Sequence, residues 1–409
     1  MKKSRPANTF LHCFPDNNRK RICSCESLTF NFFNIMRTVA GLDVHKDSVF
    51  LCILQENGEK IEKKYGVLTP DLANLHSELQ NHNVTEVGME STSIYWLPVW
   101  RALEGISDRL LVNPYFIKQL PGRKSDVKDA LWIAECVQKN LIRGSYVPIQ
   151  SVQDLRLYNR RIFDIEQECT RKLHKLDAAL QRCNIRMSNY LTRTTSKSYC
   201  SVVDAICRGV TSPKELIKLV HGKTITKHGY DTILSALTGI ISPTDIDIFS
   251  QLKKEIDILE EHRKVCEEKM TQYCKEHYPQ QLANILTIPG ISTRGATSII
   301  AELGVDMSAF PTASHLTSWC GLRPRNDQSN HTIMCRKITH GNKYIRQILI
   351  QCAWSASRCV GSFFNKFSYT QVQIKKKAQK KVTVAIARKL LVCVWHILTK
   401  NEPYKECWQ

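Results

Sequence analysis

No run of about 18 consecutive apolar residues occurs in this 409-residue chain, which argues against a membrane-spanning helix. Residues 1–35 lack the continuous apolar core and small-residue cleavage site of a signal peptide. Zinc-finger spacing is missing as well. Cys23-Ser-Cys25 stands alone, and His262, Cys266, Cys274 and His277 lie along one predicted helix. Acids are scarce: 38 Asp and Glu face 58 Lys and Arg, a formal net charge of +20. Such an excess favours polyanionic partners, nucleic acid first and an anionic membrane surface second. The 17 cysteines form an odd total scattered through apolar runs such as Ile348–Ala353 and Leu390–Trp395. That usage fits reduced, buried thiols in a cytosolic protein better than a disulfide scaffold.

What is present reads as several domains, for which the chain is long enough. Residues 1–36 form an extension without clear periodicity, expected to be a disordered arm or to precede a natural start at Met36. Val39–Val44 and Ser48–Leu54 are β-rich runs around His45-Lys46-Asp47, a hairpin pattern, and Lys60–Val67 adds a third strand. Thr69 is the expected cap of a helix with Pro70 in its first turn. A buried strand over Thr85–Met89 ends at Glu90. A helix over Ile94–Leu103, a strand over Leu110–Val112 and a helix opening at Asp126 follow, with Ser125 as its N-cap. Strands first, then strand and helix in alternation, predict an α/β sheet domain over 37–145.

A helical region follows over 150–280. Leu155, Ile162, Cys169, Leu176 and Cys183 recur every seven residues, and a second such helix carries Leu252, Ile256, Leu259, Cys266, Met270 and Tyr273. The pair fits an antiparallel hairpin or a coiled-coil dimer arm, with Lys172 interrupting the first seam. Residues 281–400 form a mainly α C-terminal domain. Within it Leu282–Leu303 reads as helix, Pro289-Gly290-Ile-Ser292 turn, helix, which fits equally a helix-hairpin-helix whose turn offers N–H groups to phosphate or a tight turn between two packed helices. The basic segment Arg336–Asn342, with Arg336 and Lys337, and the run Lys375, Lys376 and Lys377 are further candidates for phosphate contact.

Four acids are candidates for the chemistry, although any one of them alone could be a surface residue. Asp43 lies mid-strand, where a carboxylate is costly unless paired or metal-bound. Glu90 ends a strand, where α/β sheets place their sites. Asp126 and Asp129 stack in a first helical turn among Arg123, Lys124 and Lys128, which become candidate strand contacts. Alone, such a pair reads as solvated first-turn acids. If all four converge they repel one another, and two divalent cations would offset that repulsion and activate both oxygens of a phosphoryl displacement. Hard oxygen ligands point to Mg²⁺ or Mn²⁺.

Gly41-Leu-Asp43-Val-His-Lys46-Asp, Glu90-Ser-Thr92 and Lys124-Ser-Asp126-Val-Lys-Asp129-Ala130 together resemble the DEDD transposases of bacterial insertion sequences. Later motifs resemble the same family's C-terminal domain: Leu286-Thr-Ile-Pro289-Gly290-Ile, Ala301-Glu-Leu-Gly304, Gly321-Leu-Arg-Pro324, Ile338-Thr-His-Gly341-Asn342 and Ala385-Ile-Ala-Arg388-Lys389-Leu390. The resemblance covers residues 37–400 in order. It implies a RuvC-like, ribonuclease H-type N-terminal fold, with Asp43, Glu90, Asp126 and Asp129 as ligands of Mg²⁺ or Mn²⁺. It also implies a catalytic serine in the polar loop Arg325–Thr332, where Ser329 is the single serine. Asn330, His331 and Thr332 follow it, a departure from the small residues and lysine usual in the family.

A serine hydroxyl is a weak nucleophile unless its proton is removed or its target is polarised. The implied reaction is attack of Ser329 on a phosphate held by the acid site, leaving a phosphoserine linkage for rejoining to a second DNA. The implied partners are DNA at the element ends and target, a guide RNA from the element, and further copies of the chain in a homo-oligomer, dimer or tetramer. No membrane partner is expected, and the implied place is the bacterial cytoplasm at the nucleoid. Two rival readings use the same residues: a junction-resolvase-type metal nuclease that needs no serine, and an inactive nucleic-acid-binding copy.

Overall fold

The computed structural model describes residues 37–106, 108–113, 126–142, 144–324, 327–329, 332–335 and 337–406. The side chains of 126–128 and of 327–335 fall outside that description. So do the 1–36 extension, the Ser125 cap, and Arg123, Lys124 and Arg336. The chain forms two compact units that divide between Ser145 and Tyr146.

The first unit is built on a five-stranded mixed sheet. Strands β1 (Val39–Val44), β2 (Val49–Leu54) and β3 (Lys60–Tyr65) form an antiparallel meander. Helix α1 (Thr69–Asn81) leads to β4 (Glu86–Glu90), and α2 (Trp96–Ala102) leads to β5 (Asp108–Val112). Helix α3 (Asp126–Gln138) follows. The strand order is β3-β2-β1-β4-β5, with β1, β4 and β5 mutually parallel. All of β1 is buried, Asp43 included, as suits a central strand whose other residues are apolar or glycine. Edge strand β3 is polar and lysine-bearing, which discourages further strand pairing. Leu68, rather than Thr69, holds the N-cap position of α1. Asp71 is the capping acid: its Oδ2 accepts from the Leu68 N–H at 3.2 Å.

Two long helices dominate the second unit, α4 (Gln150–Arg182) and, after four short helices, the 35-residue Pro243–His277. The short ones are α5 (Lys197–Cys207), α6 (Pro213–Leu216), α7 (Gly222–His228) and α8 (Tyr230–Ala236), which makes Pro243–His277 α9. Helices α4 and α9 pack antiparallel within one chain. Val152, Leu155 and Ile162 share a core with Met270 and Cys274. At the other end Leu176, Leu180 and Cys183 share a second core with Phe249 and Ile256. Lys172, which breaks the apolar seam, is answered by Glu255 on α9. Tyr199, Val202 and Ile206 of α5 complete the second core.

The remainder comprises α10 (Pro279–Leu286), α11 (Thr293–Leu303), α12 (Ala313–Trp319), the hairpin β6 (Asp327–Ser329) and β7 (Thr332–Cys335), α13 (Lys343–Ala356), α14 (Phe363–Tyr369) and α15 (Gln379–Lys400). Helix α11 is buried from Gly295 to Leu303. By length and composition α15 could cross a membrane. Its apolar residues are accounted for by the core instead: Ile386, Leu390, Leu391 and Val394 are fully enclosed. Two findings depart from expectation. Within the span expected to be a polar loop, Asp327–Ser329 forms a strand paired with Thr332–Cys335, and α12 and α14 have no counterpart among the elements expected from sequence. At seven residues each, these helices are too short for a periodic apolar signal and are started by the caps Thr312 and Ser362.

Candidate active site and nucleic-acid interface

Two glycines seat α3 on the sheet. A Cβ on Gly41 would lie 2.1 Å from the Ala130 carbonyl oxygen and 2.5 Å from the Ala134 nitrogen, so helix backbone rests directly on β1. A Cβ on Gly88 would meet Val137 and Ile133 side chains at 2.6 and 2.9 Å. Arg37, just before β1, donates to the Val137 carbonyl at 3.0 Å and pairs with Glu86 at 2.7 Å. The C-terminal end of α3 therefore lies at the start of β1, and the two run in opposite directions.

That geometry decides where the acids fall. Side chains two apart share a strand face, so Asp43 faces the same side as Gly41, and Glu90 the same side as Gly88. The register Gly41↔Gly88 and Leu42↔Met89 makes Asp43 and Glu90 neighbours at the carboxyl ends of adjacent parallel strands. Two residues past Gly41 is an advance of about 7 Å, or roughly one helical turn back from Ala130 at ~1.5 Å per residue. That turn holds Asp126 and Asp129.

Asp43 is only 5 % exposed, and Glu90 and Asp129 are half-buried. Asp126 opens α3, with its side chain outside the described residues. Among the described residues no three His, Cys, Asp or Glu stand close enough to hold a metal on their own. His45 was not singled out by sequence, yet its Nε2 lies 3.0 Å from Asp43 Oδ2. The available signal was its place two residues after Asp43, just past the end of β1.

In the second unit Ser329 is the last residue of β6, opposite Thr332 at the hairpin tip. The hairpin stands on two backbone feet. Pro324 bridges Ile338, and the Thr339 N–H donates to the Arg323 carbonyl at 2.9 Å. Below that, a Cβ on Gly341 would fall 2.3 Å from the Gly321 nitrogen. Gly321 has φ +70°, a conformation that suits glycine.

The basic candidates fall in different settings. Lys337 is exposed beside the hairpin. Lys375, Lys376 and Lys377 are exposed where a π-helical turn, Thr370–Ile374, ends, and Lys376 takes φ +50°. The side chain of Lys128 lies outside the described residues. Gly290, at φ +87°, has a packing role: a Cβ there would lie 2.3 Å from the Ala356 nitrogen on α13. A cation–aromatic group escaped the sequence reading. Arg160 lies over the Tyr344 ring at 4.8 Å, and Lys343 lies 5.3 Å from Phe163 and 4.9 Å from Tyr344. Nothing in the sequence joins residues 160 and 344, so only the fold reveals it.

Comparison with known proteins agrees with this layout. Residues 40–185 match the model of the IS110 DEDD transposases, and residues 282–368 match that of the transposase IS116/IS110/IS902 family. The two matches lie in order, in the halves that carry the acids and the serine hairpin. The chain belongs to the IS110 family of transposases. The transposase for insertion sequence element IS1111A of Coxiella burnetii is 23% identical over 374 residues, covering 90% of this chain and 91% of that one. The insertion element IS110 uncharacterized 43.6 kDa protein of Streptomyces coelicolor is 23% identical over 323 residues, 74% of this chain and 76% of that one. The pilin gene-inverting protein of Moraxella bovis is 31% identical over 133 residues, 32% of this chain. That match spans only 41% of the Moraxella protein's own length.

Proposed function

We propose that this family member is a DNA transposase acting as a site-specific recombinase, cutting and rejoining strands through a covalent phosphoserine. The observation that carries the reading is the placement of Asp43 and Glu90 at adjacent strand ends, on the sheet face against which the first turn of α3 brings Asp126 and Asp129. The strand order, three antiparallel strands followed by two parallel ones, supports a RuvC-like ribonuclease H-type unit. A recombinase role is also supported by the similarity to a protein named for inverting a pilin gene.

Asp43, Glu90, Asp126 and Asp129 would hold Mg²⁺ or Mn²⁺, because a buried carboxylate among other hard oxygen donors fits such a cation. When bound, the ions neutralise charge that develops on a scissile phosphate. Ser329 Oγ attacks phosphorus, its proton passing to solvent or a base, as one phosphoester bond to DNA breaks and a DNA hydroxyl leaves. In the reverse step a DNA hydroxyl attacks the phosphoserine and frees the serine, so the number of phosphoester bonds is conserved. Lys337, Lys343, Arg160 and Lys375–Lys377 supply phosphate contacts, with Phe163 and Tyr344 able to meet an unstacked base. An element-encoded guide RNA, a homo-oligomer of two or four copies, and action at the nucleoid in the cytoplasm belong to the same reading. RNA that copurifies with the protein and maps to the element's flank would support the guide.

The test is a denaturing gel of end-labelled junction DNA incubated with protein and Mg²⁺. The proposal expects a slow-migrating protein–DNA adduct that EDTA and Ser329→Ala both abolish. Free cut strands with no adduct, unaffected by Ser329→Ala, would instead indicate a resolvase-type nuclease.

A further inference from the structure

We propose that Glu302 is a positioning residue for Ser329, acting through Asn342, which follows the segment that forms the feet of the serine hairpin. The proposal rests on the serine reading above. Glu302 is fully enclosed in α11, at 0 % exposure, in the apolar run Ile299–Leu303. A carboxylate there is costly to bury and needs full pairing. Its partners come from two separate elements. Asn159 of α4 donates from Nδ2 to Oε1 at 2.9 Å, and Asn342 donates from Nδ2 to Oε2 at 2.8 Å. Arg160 Nη2 lies 3.5 Å from Oε2, and Arg156 Nε lies 4.0 Å from it. Arg156 also binds the backbone here, donating to the Ala301 carbonyl at 3.2 Å and the Glu302 carbonyl at 2.5 Å.

Asn342 is the hinge of the arrangement. Its Oδ1 accepts from the N–H groups of Tyr344 and Ile345, at 2.9 and 3.3 Å, and so caps α13. With Oδ1 committed to the cap, Nδ2 has one direction left, and Glu302 occupies it. The residue before it, Gly341, is pressed on Gly321, and Thr339 is bonded to Arg323. The segment between these feet, residues 325–337, carries Ser329. The carboxylate thus fixes the base of the hairpin to α4. An apolar pair could fill the same space at similar stability, but it would not fix the direction of the Asn342 amide. Direction matters here because a nucleophile displaced by about 1 Å can lose on the order of a hundredfold in rate.

A reciprocal swap tests this in the full-length protein. Asn342→Asp keeps the helix cap, since aspartate caps as well as asparagine. It also sets carboxylate against carboxylate at Glu302. Adding Glu302→Gln restores a donor–acceptor pair, with the glutamine amide donating to Asp and its oxygen accepting from Asn159.

Three readouts are taken with labelled junction DNA and Mg²⁺: binding affinity, single-turnover adduct rate at saturating DNA, and amide hydrogen exchange over residues 338–345. The proposal expects N342D to lose about a hundredfold in adduct rate with affinity within about threefold of wild type. It expects faster exchange at the foot, and E302Q to bring the rate back to within about fivefold. A full adduct rate in N342D despite faster exchange would overturn the positioning role, as would a double variant that recovers exchange but not rate. Failure of the serine reading is distinguishable: Ser329→Ala would then leave the wild-type adduct intact, whatever the swap does to exchange.

Discussion

The α/β unit and the C-terminal region differ first in charge. Residues 37–145 hold 13 Lys and Arg against 14 Asp and Glu, whereas residues 278–409 hold 18 against 5. The long helices α4 and α9 are again balanced, with 13 basic and 14 acidic residues between them. The excess that suggested a polyanion partner is therefore concentrated in the region of the serine hairpin, apart from the four candidate catalytic acids. Acids meeting phosphate need cations to offset repulsion, while a basic surface attracts phosphate unaided. On the proposed function, phosphate activation falls to the first region and most of the nucleic-acid hold to the second.

The strongest way to break that division is to remove an acid. Asp43→Asn or Asp129→Ala should lower strand cleavage by about a thousandfold, since an ion stabilising the reacting phosphate contributes several kcal/mol. Filter-binding affinity should stay within about threefold, and cleavage that survives both changes would remove these acids from the chemistry. Reversing the lysine run, K375E/K376E/K377E, should do the opposite. Affinity should drop at least about tenfold, and the slope of log affinity on log salt should flatten by roughly one per lost contact. The single-turnover rate at saturating DNA should be nearly unchanged.

Gly41→Ala sharpens the seating of α3. Its Cβ meets helix backbone, so thermal melting should report a loss of about 1–3 kcal/mol, with Gly88→Ala milder because the Val137 and Ile133 side chains can rotate. The smallest effect concerns thiols. Burial pushes Cys52 up to about 11 and Cys274 up to about 12, so both should resist alkylation at pH 8. The half-buried Cys359 should react first among these three by mass spectrometry.

The strands of the first unit were legible because β1, β2 and β4 are short, apolar and punctuated by polar turns. Asp43 stood out as a charge inside an apolar run, and Glu90 as a charge at the end of one. Their meeting with α3 was less legible, since it depends on Gly41 and Gly88 admitting a helix, and no local pattern reveals a close approach. Glu302 was equally hidden. It sits in a quoted motif, but its function depends on Asn159 and Asn342, each distant in sequence. The serine hairpin was hidden by its polarity, which reads as a loop until its feet are seen paired at Pro324 and Ile338.

The most direct test of the account is to identify the residue that carries DNA. The adduct formed with junction DNA and Mg²⁺ is digested with nuclease and protease, and the remaining nucleotide is located by tandem mass spectrometry. A nucleotide phosphate on Ser329, present in the wild type and lost in Asp43→Asn, is the predicted result. A nucleotide on any other residue, or robust cleavage with no modified peptide, would contradict it.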